Sequence, residues 1–328
     1  MKHSLFSALA LTLILTAGSI YSAQAESTVP TPKPGKSDRK KAAKSESRSK
    51  SSSPALRNIK PNAVAKSLFS KAGDPAPLKA RAIGSYARGC LAGGKALAAD
   101  GPSWQVIRLS RNRNWGHPNM VKYLERLAAD VPTLGWRGLM VGDMAQPRGG
   151  PMPKGHASHQ IGLDADIWLR EMPKQRLSRK QRENISAISM LRKGTQSINK
   201  KVWTSDHAKL LRRAASDRQV ARIFVHPAIK QELCGWAKGD RSWLRKIRPW
   251  YGHHYHFHVR LSCPKGLQGC KNQAAPPAGD GCGKAMAWWL SDAPWAKPKK
   301  GKKVKVKKKR ELRIADLPRD CSGVLAAR

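Results

Sequence analysis

Strand and helix signals interleave along this chain without regular strand–helix–strand alternation, which predicts an α+β fold. The expectation is a single domain built on a central antiparallel sheet, flanked by helices and loops and stapled by disulfides. Three observations carry it. Segments Leu163 to Leu169 and Tyr255 to Leu261 alternate apolar and polar residues with a period of two. Other segments space their apolar residues helically, and six cysteines occur in a chain whose start reads as an export signal.

That start has a charged beginning at Met1, Lys2 and His3, a largely apolar run from Leu5 to Leu15, and the small-residue site Ala23-Gln24-Ala25. Residues 1–25 are therefore expected to be a cleavable signal peptide, with a mature chain from about Glu26. The apolar run is short for a membrane span and no later stretch is long enough, so a soluble periplasmic protein without a transmembrane segment is expected.

Residues 26–76 read as a basic low-complexity linker, dense in Lys, Arg, Ser and Pro between Pro30 and Lys60. Residues 296–328 read as a basic tail, with its charge run at Lys297 to Arg310. Together they hold much of the formal net charge of +42. Neither run has the apolar periodicity to bury anything, so both are expected to be mobile and solvated. Polycations outside the cytoplasm would contact anionic envelope polymers or lipids and not nucleic acid.

Between them, residues 77–295 read as the folded domain, and a 40% hydrophobic content supports a core. Asn119 to Asp130 spaces Met120, Val121, Leu124, Leu127 and Ala128 as a helix, which His117 and Pro118 begin. His207 to Ala215 and Pro227 to Gly235 are further helices. Leu139 to Met144, Leu163 to Leu169, Ala221 to Val225 and Tyr255 to Leu261 are strands. Asp143, near the end of its strand, reads as a turn residue first and as a neighbour of the site second. Of eleven tryptophans, Trp115, Trp168 and Trp250 are groove candidates, although core packing accounts for most of them equally well.

The chemistry concentrates in two places. From His254 onward the second alternating segment puts His254, His256, His258 and Arg260 on one face and Tyr255, Phe257, Val259 and Leu261 on the other. In the first, Leu163, Ala165 and Ile167 point one way and Asp164, Asp166 and Trp168 the other, after a Gly-flanked turn carrying His156 and His159. A polar sheet face is the plain alternative. Carboxylates so placed are costly unless paired, exposed or bound to metal. His159, Asp166 and His258 would supply two imidazoles and one carboxylate, leaving the open position of a catalytic zinc on the sheet.

These residues also resemble a family. Ser158-His159-x-x-Gly162-x-x-x-Asp166, followed far downstream by His256-x-His258, is similar to zinc peptidases of the lysostaphin and D-Ala-D-Ala peptidase group. The nearest resemblance is to penicillin-insensitive murein endopeptidases, through Gly155-His156-Ala157-Ser158-His159-Gln160, Arg222-Ile223-Phe224-Val225 with Pro227 to Gln231, and Trp243-Leu244-Arg245-Lys246-x-Arg248-Pro249-Trp250. It covers about Ile83 to Cys282 and the last cysteine.

The resemblance implies that His159, Asp166 and His258 hold zinc, that His256 handles protons, and that His156 and His253 line the cleft as supporting or second-metal residues. Lys193 and Gln196 stand where the family has further metal-binding groups, which implies one zinc ion and not two. It implies a D-Ala to meso-diaminopimelate endopeptidase acting on cross-linked stem peptides of peptidoglycan. The alternatives are a D-Ala carboxypeptidase, an endopeptidase for diaminopimelate-to-diaminopimelate links, and a catalytically silent murein- or envelope-binding protein. Ser-x-x-Lys occurs, but without Ser-Asp-Asn or Lys-Thr-Gly, so a penicillin-sensitive acyl-serine mechanism is poorly supported.

An even cysteine count without C-x-x-C favours three disulfides, for which fifteen pairings exist. Only Cys263 and Cys270 are near neighbours. The resemblance implies Cys90–Cys321, Cys234–Cys282 and Cys263–Cys270.

Overall fold

The two alternating segments become adjacent interior strands of a seven-stranded sheet in the computed structural model, which describes residues 59–296 and 310–328. The expected signal peptide, most of the linker and nearly all of the Lys297 to Arg310 run lie outside the described residues. No described helix is long and apolar enough to cross a membrane.

In chain order, β1 (Arg81–Ser85) and β2 (Arg88–Ala92) form a hairpin, and β3 (Lys95–Ala96) pairs with β6 (Trp115–Gly116). The main sheet contains β4 (Asp100–Gly101), β5 (Trp104–Val106), β7 (Leu139–Val141), β8 (Asp164–Trp168), β9 (Val220–Val225), β10 (Ile247–Pro249) and β11 (His256–Leu261). Their order across the sheet is β10-β9-β11-β8-β7-β5-β4. The centre is antiparallel, since β11 opposes both β8 and β9. Two outer pairs, β9–β10 and β5–β7, run parallel. Each joins strands separated by a helix, and such crossovers permit parallel pairing where a tight hairpin would not.

The helices are α1 (Ala65–Phe69), α2 (Pro118–Asp130), α3 (Arg179–Asn184), α4 (Ser205–Ser216), α5 (Pro227–Trp236), α6 (Ala287–Leu290) and α7 (Asp320–Ala326). A His-Pro pair starts both α2 and α5. Pro118 and Pro227 occupy first positions where no N–H is needed, while His117 Nδ1 accepts from Asn119 N–H and His226 Nδ1 from Ala228 N–H. The predicted α2 stripe of Met120, Val121, Leu124, Leu127 and Ala128 is buried at 2% exposure or less. It packs in one core with Val141, Ala165, Ile167, Phe257 and Val259.

Three expectations need correction. The strand predicted to reach Met144 stops at Val141: Gly142 and Asp143 still bond Asp166 of β8, but Met144 and Ala145 turn to Arg113 and Trp115 instead. Packing also extends beyond 77–295. Phe69, assigned to the linker, and Ile314, Leu317 and Val324, assigned to the tail, share a second core with Cys90 and Cys321. Ala65 N–H donates to Leu312 O at 2.9 Å, tying these two segments together. Gly150 lies at φ +73° against Phe69, where a Cβ would come within 2.2 Å of the ring, so the contact requires glycine. Finally, β11 begins only at His256. Tyr255 is 36% exposed instead of facing the core, and His254 turns aside to Ser189 Oγ at 2.9 Å.

The cysteines form Cys90–Cys321, Cys234–Cys282 and Cys263–Cys270 bridges. The first connects β2 to α7.

Candidate metal centre

Strand register brings the two chemical segments to one point. In the β8–β11 pair, His258 lies opposite Asp166, His256 opposite Trp168, and Arg260 opposite Asp164. Alternation puts these side chains on one face, while Ala165, Ile167, Phe257 and Val259 fill the core behind.

His159 reaches the same point from the loop before β8. Its backbone is left-handed, φ +65°, a conformation uncommon outside glycine. Asp164 Oδ2 holds that turn by accepting from His159 N–H at 3.0 Å. His159 Nδ1 lies 2.8 Å from Met144 O, so its N–H donates there. The Nε2 lone pair is left facing Asp166 Oδ1 at 3.4 Å. His258 Nδ1 approaches that oxygen at the same distance. Its Nε2 lies 3.1 Å from Asp164 Oδ1, close but without the alignment of a hydrogen bond.

On the other side, His156 Nδ1 is 3.6 Å from Asp166 Oδ2, and its Nε2 is 3.0 Å from Asp143 Oδ2. Ligand atoms of His156, His159 and Asp166 lie within 4.8 Å of one another. His256 Nε2 is 3.7 Å from Asp166 Oδ2. The His253 ring is 4.8 Å from that of His256 and 6.0 Å from that of His258, with Nδ1 turned to Tyr251 O. The other five predicted residues thus gather around Asp166.

The donor set fits a divalent cation. His159 Nε2 and Asp166 Oδ1 are buried and have no hydrogen-bond partner among the described residues. Two lone pairs facing each other across 3.4 Å are unfavourable unless something electropositive lies between them. Two imidazoles and a carboxylate suit zinc, and Asp164 and Asp143 stand behind His258 and His156 as carboxylates that orient such rings.

Without a cation, burial would raise the Asp166 carboxyl, but His256 and His159 hold it well below the usual range. Burial likewise opposes ionisation of Asp164, which Arg260 and His258 outweigh. His256 and His258 are each pushed down to about 4, chiefly by burial. His159 is raised despite burial, because Asp166 faces it.

Asp143 is not the turn residue its position suggested. It is 5% exposed and accepts from Arg113 Nη1 at 2.8 Å and from Arg111, as well as facing His156. Burial raises its carboxyl, but the bonds to His156 and Arg113 bring it far down. The available signal was the run Arg111-Asn112-Arg113, two cations spaced to reach one carboxylate. Gln196 Oε1 meets His226 Nε2 at 2.9 Å, and Lys193 is exposed.

Two cavities flank the centre. One of about 240 Å³ is lined by Trp168, Tyr255, Arg108 and Arg111, and one of about 580 Å³ by Phe224, Trp250, Trp289, Arg222 and Arg248. Trp168 and Trp250 are thus groove residues, whereas Trp115 bonds Asn112 Oδ1 and lines neither.

The pattern of penicillin-insensitive murein endopeptidases matches residues 82–326. The chain belongs to that family. The Haemophilus influenzae protein of that name is 50% identical over 212 residues, 65% of this chain and 74% of its own length. The Klebsiella pneumoniae protein is 41% identical over 246 residues, covering 75% and 86%. A Salmonella paratyphi B counterpart is 44% identical over 216 residues, covering 66% and 78%. The family match spans both the site segments and the bridge from Cys90 to Cys321.

Proposed function

We propose that this chain is a zinc-dependent murein endopeptidase of the periplasm. It hydrolyses the D-Ala to meso-diaminopimelate cross-link without a covalent intermediate, using one zinc ion held by His159, Asp166 and His258. The observation that carries the reading is the pair of uncommitted buried lone pairs, His159 Nε2 and Asp166 Oδ1, beside two cavities that share His156 in their linings.

When bound, zinc supplies Lewis acidity at the scissile carbonyl and lowers the pKa of water to about 7. His256 Nε2 lies beside Asp166, and its Nδ1 is uncommitted, so this ring accepts or returns a proton at the reacting centre. Asp164 lies against the His258 ring and fixes the His159 turn, and Asp143 holds His156. The aromatic walls of the cavities exclude water from the peptide stems on either side. The basic runs at residues 30–60 and 297–310 hold the enzyme against anionic envelope polymers or lipids.

The test is mass spectrometry of purified cross-linked muropeptide dimers incubated with the mature protein and penicillin, with and without a chelator. Dimers should convert to monomers, the chelator should stop this, and added zinc should restore it. Intact dimers under zinc-replete conditions would reject the reading in favour of a binding protein. Release of D-Ala alone would indicate a carboxypeptidase.

A further inference from the structure

Arg222 and Arg248 line the larger cavity together with His258, Phe224 and the exposed ring of Trp250. Arg222 stands on β9 opposite Arg260, two pairs along from Phe224 opposite His258 and so on the same face. It is 9% exposed, and its Nη2 donates to Ala274 O. Its Nε is buried with no partner among the described residues. The side chain of Arg248, half-buried on β10, makes no hydrogen bond or ion pair with a described residue.

The neighbouring carboxylate does not offset these charges. Asp164 is already held by Arg260 through Nε at 2.8 Å and Nη2 at 3.1 Å. Arg222 is lowered by burial first and then by the positive charges of Arg260 and Arg248. A buried guanidinium among like charges is costly, and an anionic ligand would relieve it. Planar guanidinium groups match carboxylates in two-point contacts.

We propose that Arg222, assisted by Arg248, binds the free carboxylate on the amino side of the cross-link, making this a carboxylate-selective peptidase. The inference rests on the murein reading above. In that cross-link the carbon bearing the scissile nitrogen also bears a carboxylate, within one residue of the bond that is cut. Diagonal neighbours across a sheet, as Arg222 and His258 are, stand roughly 7–8 Å apart, and a peptide advances about 3.3–3.6 Å per residue. An arginine side chain covers that distance, so one substrate residue joins the metal centre to the guanidinium.

The experiment compares two cross-linked dimers, one with the carboxylate at that carbon and one with a carboxamide. The wild-type protein should favour the carboxylate roughly 10- to 100-fold in kcat/KM, mostly through KM, as expected for loss of one charge-assisted contact. Arg222→Gln should remove the preference by slowing only the carboxylate dimer, and Arg222→Lys should restore part of it. Arg248→Gln, at a less buried position, should reduce the preference and guards against misfolding of the Arg222 variants. Equal cleavage of both dimers by the wild-type protein overturns the proposal. So does full preference retained in both Arg222→Gln and Arg248→Gln. Cleavage of neither dimer overturns the murein reading itself, and this proposal with it.

Discussion

Replacing Arg260 with methionine probes the ion pair beneath the metal centre. Asp164 is fully buried and accepts from Arg260 Nε and Nη2 at 2.8 and 3.1 Å and from His159 N–H at 3.0 Å. Methionine keeps part of the stem volume but leaves the carboxylate with one backbone donor and the nearby His258 ring. Removing one partner of a buried pair costs about 3–5 kcal/mol. Loss of the guanidinium 4.1 Å over the Tyr86 ring adds up to about 1 kcal/mol. Asp164→Asn should cost less, about 2–3 kcal/mol, because Gln273 Oε1 at 2.7 Å and Tyr86 still serve Arg260. The double variant should then fall short of the summed losses by about 2 kcal/mol or more. Equilibrium urea unfolding of chelator-treated protein, disulfides intact, measures all four corners without metal linkage. Additivity within about 0.5 kcal/mol would refute the assignment of Asp164 and Arg260 as a coupled pair.

His159→Ala and Asp166→Asn should each abolish stoichiometric zinc binding in equilibrium dialysis, whereas His256→Ala should retain one zinc and lose about 10²- to 10⁴-fold in kcat; zinc loss in His256→Ala would make it a ligand. Lys230, buried between Leu244 O and Asp280 O, is pushed down to about 7 by burial and then by Arg248. Because the unfolded chain binds that proton up to about 10.5, stability should rise from pH 7 to pH 10, and a pH series of unfolding curves should show this slope flattened in Lys230→Met. Removing Cys90–Cys321 by a double serine substitution frees a loop with a sequence separation of 231. Chain entropy puts the cost at about 5 kcal/mol, and a loss under 1 kcal/mol by denaturant titration would show that the packing of α7 alone holds the closure.

Sequence reading reached the cluster around Asp166 because its logic is local. A period of two around Asp166 and another around His258 determine which side chains share a face, and antiparallel register does the rest. The same rule misplaced His254 and Tyr255, since alternation in letters continues for two residues where the strand does not. Asp143 ranks first as a turn residue and only second as a site neighbour because its meaning is non-local, depending on Arg111, Arg113 and His156 converging from two other segments. The packing of Phe69 against Ile314 and Cys321 was equally hidden. Each flank alone is too short and too basic to suggest a core, and the apolar residues of one need those of the other.

The strand bearing His256 and His258 is bonded along both edges, to β8 on one side and β9 on the other. Interior strands of this kind belong to the last part of a protein to open, so their amides exchange slowest with solvent. The frame for the proposed zinc ion would therefore persist when the ion leaves. An emptied enzyme would then need only recapture a cation and not refold, so the zinc-dependent activity proposed above would follow the local metal supply reversibly.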